Sequence, residues 1–226
     1  MTFNLFGFPV TIETGAFFLI AILFLFGLYL DYSMLDTVLG ISIVLVSLMA
    51  HELGHAFAAR SFGIQNVEIS LHQMGGRTHR DRMTDRWYKE LTINIAGVTA
   101  GFVIALLSYA ALVILPLGEV AQSWLWLVVR LNVAWGIFNM LPIFPMDGGN
   151  ALRNLLSAVL APLNAATGAH AVGLVLAVVL AVLIIGLTGL TISSVYIAML
   201  AGLFARQNWM ALQRIQQLRD DHRDAA

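Results

Sequence analysis

Six apolar segments, at roughly residues 14–30, 37–59, 90–115, 122–141, 169–187 and 190–207, divide the chain. Each is close to the ~20 residues that a helix needs to cross a ~30 Å hydrocarbon core. A soluble domain of this size has no interior large enough to bury so many. Of the 226 residues, 59% are apolar and only 11% are charged, against about 25% charge in a soluble domain. The expected fold is therefore an all-α integral membrane protein with about six transmembrane helices in a lipid bilayer. The net charge of −1 carries no nucleic-acid signal, and the absence of cysteine excludes disulfides, thiolate metal sites and cysteine nucleophiles. The N-terminus lacks the basic region of a signal peptide, since the first Lys or Arg is Arg60.

No internal repeat, low-complexity tract or long linker interrupts the pattern, so residues 1–226 are expected to form a single transmembrane domain. Residues 1–13, "MTFNLFGFPVTIE", alternate weakly and read as a short extended or interfacial piece. Residues 208–226 form a polar tail able to prolong the last helix into water. "GLTGL" between the last two segments suits a tight helical hairpin.

Charge sets the orientation. Arg60, Arg77, Arg80, Arg82, Arg86 and Lys89 lie between segments two and three, Arg153 between four and five, and Arg206, Arg214, Arg219 and Arg223 beyond the last segment. Arg130 falls within segment four, and the alternate loops contain no Lys or Arg. The positive-inside rule then predicts a multi-pass protein of the cell membrane with both termini and the 60–89 loop in the cytoplasm.

The second segment ends in "SLMAHELGHAFAAR", residues 47–60. His51 and His55 stand at i and i+4 on one helix face, where both imidazoles can bind one metal ion, and the adjacent Glu52 can take a proton from water. Both histidines precede Arg60 closely, which puts them very roughly 8–14 Å inside the basic boundary at 1.5 Å per residue. Gly54 leaves room for a neighbouring chain. A five-letter pattern can arise by chance, with the histidines satisfied inside the bundle. Its depth argues otherwise, because ionisable groups are costly in lipid and usually functional there.

A hydrolytic zinc site takes three protein ligands as a rule. Glu68, His72, His79, Asp81, Asp85, Glu90, Asp147 and His170 are the candidates for the third. Most of them lie in the basic loop, where solvated side chains are the ordinary reading. Asp147 sits in "FNMLPIFPMDGGN", residues 138–150, at the cytoplasmic end of segment four. Pro142 and Pro145 end that helix, and Gly148 and Gly149 permit a sharp return. Asp147 can serve either as a ligand or as the cap of the helix that follows.

HELGH near the cytoplasmic end of one helix, followed about 90 residues later by N-x-x-P-x-x-P-x-D-G-G, resembles the site-2 protease family of intramembrane zinc metalloproteases. The resemblance runs from segment two through the DGG turn. It implies one Zn2+ per chain on His51, His55 and Asp147, with Glu52 as the catalytic base. It also implies that Asn139 positions the substrate or stabilises the reacting carbonyl. Asn132, seven residues earlier on about the same helix face, can line the same cavity.

"NVEISLHQMGGRTHR", residues 66–80, alternates apolar and polar residues through 67–74 and reaches Gly75-Gly76. Members of the family carry a small membrane-associated β-hairpin at this place. The strand, with Ile69, Leu71, Gly75 and Gly76, is expected to pair with unwound substrate backbone by β-addition. One departure is visible: the family's G-P-x-x-N pattern is replaced in "NIAGVTAGF" by Val98 for the proline and Gly101 for the asparagine. No room is expected for an appended PDZ domain or CBS pair.

The expected function is hydrolysis of a peptide bond within or near the transmembrane segment of a membrane-protein substrate. The alternative is a cation transporter or channel using the same His/Glu/Asp cluster, against which stand the lack of repeats and the placement of Glu52 beside a ligand pair. A non-catalytic relative that binds membrane partners is a further alternative, disfavoured by the intact Glu52. The sequence leaves the substrate, the activating signal and the oligomeric state open.

Overall fold

The computed structural model describes residues 1–73 and 75–224, with side chains through Asp221. Met74, the last residue of the expected strand, and residues 225–226 of the expected tail lie outside the described residues. The chain is mostly helical with one four-stranded sheet. Its helices are α1 (Thr14–Tyr29), α2 (Met34–Ser61), α3 (Trp87–Ile114), α4 (Glu119–Asn139), α5 (Asp147–Leu156), α6 (Pro162–Thr188) and α7 (Ile192–Asp224). Every apolar segment marked in the sequence falls on a helix.

Three of these helices, α2, α3 and α6, are long and apolar enough to cross a membrane, and α1 is a shorter apolar helix. Arg130 and Asn132 dilute α4, and α7 turns polar from Arg206 onwards. The apolar helices leave large side chains uncovered: Phe17, Phe18, Leu25 and Phe26 on α1, and Val175, Val182, Leu183 and Leu187 on α6 are all exposed. Apolar surface of this extent has no place in water, and hydrocarbon is the solvent that it matches. Backbone polar groups stay satisfied because each such segment is a continuous helix.

The sheet is larger than the hairpin expected at 66–80. Its strands, β1 (Thr2–Leu5), β2 (Phe8–Ile12), β3 (Val67–His72) and β4 (Gly75–Arg80), lie in the order β1-β2-β3-β4. The N-terminal piece is a β-hairpin, and β2 pairs in parallel with β3 in the register Val10↔Ile69, Thr11↔Ser70 and Ile12↔Leu71. Phe6 (φ 51°) and Gly7 (φ 82°) make its two-residue turn, the backbone that a tight hairpin requires. The Asn4 side chain accepts the Gly7 N–H at 2.9 Å. Arg60, in the last turn of α2, holds this turn down. Its guanidinium donates to the carbonyls of Gly7 (2.8 Å) and Phe6 (3.3 Å) and lies 3.5 Å above the centre of the Phe8 ring.

The chain forms two compact units, Met1–Asp85 with Ile95–Ile137, and Arg86–Asn94 with Phe138–Ala226. In the first, α2 meets α3 through glycine. A Cβ built on Gly54 would fall 2.5 Å from the Ala96 carbonyl oxygen and 2.9 Å from the Gly97 Cα, and a Cβ on Gly97 would run into the His55 ring. In the second, α6 and α7 pack together. Thr191 and Ser194 bond each other's backbone N–H at the start of α7 (2.8 and 3.1 Å), a reciprocal cap for its free donors.

Two glycines of the same helix make the close contact testable. Gly40 has nothing within 4 Å of a built Cβ, whereas Gly54 faces backbone on α3. Gly40→Ala is expected to be neutral or to stabilise by up to about 1 kcal/mol, the helix-propensity gain. Gly54→Ala is expected to destabilise by about 1–3 kcal/mol through overpacking. Thermal unfolding of the two variants in the same detergent measures the difference, and equal melting temperatures would remove the glycine contact as a determinant of the fold.

Candidate metal centre

The first part of the site comes from α2 alone. The helix runs unbroken through 51–55, so His51 and His55 emerge on one face one turn apart. Both are buried, as is Glu52 between them. Their Nε2 atoms are 3.1 Å apart, and the rings meet edge to face with centroids at 4.8 Å.

Glu52 is held from β4. The Thr78 hydroxyl lies 2.8 Å from Glu52 Oε2 and 3.1 Å from the Glu52 carbonyl oxygen, and donates toward this pair of acceptors. Gly76, two residues earlier on the same strand face, packs its backbone directly on the Glu52 side chain, and a Cβ there would come within 2.8 Å of Oε1. Thr78 carried no signal in the sequence beyond its place in an alternating strand.

The second part comes from the segment after α4. That helix stops at Asn139, and Pro142 and Pro145, the latter after a cis peptide bond, keep 140–146 irregular. Asp147 then opens α5. The N-cap is Met146, without a side-chain cap bond, so Asp147 is a first-turn acid rather than the cap. Its carboxylate suits the positive end of the helix dipole. The two glycines behind it are required. A Cβ on Gly148 would collide with the carbonyls of Met140 and Leu141, and one on Gly149 would fall 2.8 Å from the Phe144 nitrogen.

His51, His55 and Asp147 form a possible metal site. Each offers one ligand atom, and these atoms lie within 4.8 Å of one another. It is the one such group of three among the described residues. Two imidazole nitrogens and a carboxylate oxygen are ordinary zinc chemistry. Ligands about 2.0–2.1 Å from a tetrahedral ion stand about 3.3 Å apart, close to the separation of the two histidine nitrogens. The donor set therefore fits zinc.

The other candidate ligands do not join this group. His79 bonds Ser70 across the β3–β4 pair at 2.9 Å, Asp81 accepts from Asn66 at 2.8 Å, and His170 meets Asn208 at 3.0 Å. Glu68, His72, Asp85 and Glu90 also lie outside it. Asn139 is buried at the last residue of α4. Asn132 is buried on α4 and donates to Ser47 Oγ (3.0 Å) and to the Val128 carbonyl (2.9 Å), which ties α4 to α2 one turn before His51. The departure at 98–101 has a local account. Val98 is buried, and a Cβ on Gly101 would sit in ordinary contact, 3.5 Å from Asn132 Oδ1, so Gly101 lies beside this amide.

The expectation for Ile69 and Leu71 needs correcting. Both are buried in β3, and β3 is an interior strand, paired with β2 on one side and β4 on the other. Its backbone offers no open edge for strand addition. The outer strand beside it is β4, which begins with Gly75 and Gly76. The sequence could not reveal this, because the partner that closes β3 comes from residues more than fifty positions away.

The sequence profile of Peptidase family M50 matches residues 39–123 and 117–186. The chain is 28% identical over 205 residues to a zinc metalloprotease of Methanocaldococcus jannaschii, covering 91% of this chain and 59% of that protein. It is 32% identical over 146 residues to a Mycobacterium tuberculosis protein provisionally named a zinc metalloprotease, covering 61% of this chain and 37% of that protein. It thus spans less than two thirds of the length of these curated relatives. The solved structure of the site-2 protease from Methanocaldococcus jannaschii matches with a TM-score of 0.64 and 25% identity, over 92% of this chain and 94% of that one. With the profile covering most of the chain, including HELGH and the DGG turn, the chain belongs to Peptidase family M50.

Proposed function

We propose that the protein is an intramembrane zinc metalloprotease that hydrolyses a peptide bond within or near the transmembrane segment of a membrane-protein substrate. One observation carries the reading: a buried His51/His55/Asp147 group, with Glu52 held beside it by Thr78, in a chain of apolar helices. His51, His55 and Asp147 would hold one zinc ion per chain, and residues 1–226 would act as a single catalytic domain. Zinc bound there supplies a Lewis acid that activates water and polarises the scissile carbonyl.

The chain's own residues do the rest. Glu52 takes the proton of the attacking water and delivers it to the leaving nitrogen. Thr78 keeps the carboxylate in one orientation while it does so. Asn139 offers an amide donor to the oxygen on which charge develops. A substrate helix must unwind to present its carbonyl, and the outer edge of β4, with Gly75 and Gly76, is the place for the freed backbone to pair. Ile69 and Leu71 support that strand from behind. Asn132 acts through the α2–α4 contact beneath the site. Six membrane crossings, with both termini, the basic 60–89 loop and the mouth of the site on the cytoplasmic side, complete the proposal.

Metal content separates ligands from base. His51→Ala and His55→Ala are expected to lose most of the zinc measured in purified protein, because each removes one of three protein ligands. Glu52→Gln is expected to keep its zinc and lose cleavage of a membrane substrate in detergent. Near-normal cleavage by this variant would defeat the assignment of the base, and full zinc in Asp147→Ala would defeat that of the third ligand.

Thr78→Val removes the hydroxyl with little change of shape. A lost hydrogen bond to a charged group costs about 1.5–3 kcal/mol, so kcat is expected to fall by about 10-fold or more with KM nearly constant. Thr78→Ser should restore it. An unchanged kcat in Thr78→Val would mean that the contact does not serve catalysis.

The chain has no cysteine, which makes topology directly measurable. Met83→Cys, in the basic loop, is expected to react with a membrane-impermeant thiol reagent from the cytoplasmic side only. Val120→Cys, in the first turn of α4, is expected to react from the opposite side only. The reverse pattern would invert the orientation.

A further inference from the structure

We propose that Asn208, on the last helix, is a positioning residue for the Asp147 turn and so sets the affinity of the metal site. The proposal rests on the reading of Asp147 as the third ligand. Asn208 is 0% exposed on α7, deep among apolar side chains. A buried amide is costly unless its polar atoms are all used. Here they are. Nδ2 donates to the Phe144 carbonyl at 3.1 Å and to the Phe204 carbonyl at 2.8 Å, and Oδ1 faces His170 Nδ1 at 3.0 Å. The flipped amide would aim its oxygen at two carbonyls, so this orientation is the only one that satisfies the group. Oδ1 can only accept, and His170 therefore carries its proton on Nδ1.

Three features bind this amide to the turn before Asp147. The Phe144 ring stacks on His170, with centroids 4.1 Å apart and planes at 29°. Gly173 on α6 makes room for the whole arrangement. A Cβ there would lie 2.6 Å from Asn208 Oδ1 and 3.3 Å from the Ile143 Cα. The turn itself is closed by Met146 N–H to Ile143 O (2.9 Å) and Gly149 N–H to Met146 O (3.1 Å). Few degrees of freedom remain between the Phe144 carbonyl and the Asp147 carboxylate, three residues on. An anchor on that carbonyl fixes where the carboxylate stands. Neither the half-buried His170 nor the fully buried Asn208 takes part in the proposed chemistry.

The test is a double-mutant cycle on zinc affinity, read by competition with a chelator in the full-length protein in detergent. Asn208→Ala is expected to weaken zinc binding about 10–100-fold, the range for partners that orient a ligand. In the Asp147→Ala background the same change is expected to have no further effect, since the ligand through which it acts is gone. A purely structural role predicts an equal loss in both backgrounds, and that result would overturn the proposal, as would unaltered affinity in Asn208→Ala. Wild-type affinity in Asp147→Ala alone would show instead that the ligand assignment has failed and takes this proposal with it. If Asn208→Ala does not fold, His170→Phe keeps a ring against Phe144 and removes the Nδ1 donor. It is expected to weaken binding several-fold in the native background only, and equal or absent effects in the two backgrounds overturn the proposal in the same way.

Discussion

Three ionisable side chains lie within five residues of an apolar helix, and the packing around them answers the cost of burying them. His51 and His55 face each other through their ring nitrogens, and Glu52 accepts a hydroxyl from a neighbouring strand. Each solution needs another backbone to come close. Glycine provides that approach at every contact: Gly54 and Gly97 where α2 meets α3, with Gly97 against the His55 ring, and Gly76 where β4 covers Glu52. A methyl group at any of these places would push away the element that completes the site.

The sheet follows from the same requirement. A lone hairpin has too little buried surface to hold its shape. Here β3 is braced by β2, whose Phe8 and Val10 are fully buried, and the β1–β2 turn is fastened to the end of α2 through Arg60. The strand that touches Glu52 is thereby anchored to the helix that carries it, at a second point beyond Thr78. The same bracing makes β3 an interior strand and leaves β4 as the outer strand on that side.

In the second unit the problem is a carboxylate at the end of an irregular segment. Prolines at 142 and 145 break the helix, and the freed backbone must be satisfied without water. It bonds to itself through Ile143 and Met146, and to the side chain of Asn208. Polar groups in apolar helices here serve as fasteners. Asn208 and His170 hold a loop, and Asn132 joins α4 to Ser47 on α2.

Much of this was legible from local pattern. Length and apolarity marked six segments, all of which are helices, because a helix satisfies its own backbone and needs only its own residues to form. The spacing of HELGH alone placed His51 and His55 on one face, and Pro142, Pro145 and the DGG glycines marked where α4 ends and the chain turns. What no local pattern contains is partnership at a distance. Residues 1–13 alternate too weakly to announce a hairpin, and nothing in them says that they pair with 69–71. For that reason β3 looked like an open edge. Thr78 is one of many threonines until β4 is laid against α2, and Asn208 looks like the start of a polar tail until α7 is packed on α6. The pairing of His51 with His55 and the place of Glu52 beside them were written in the sequence, because helix periodicity fixes neighbours one turn apart. The residues that hold them in place were decided by tertiary structure, because contacts between distant backbones depend on how the chain packs and not on its order.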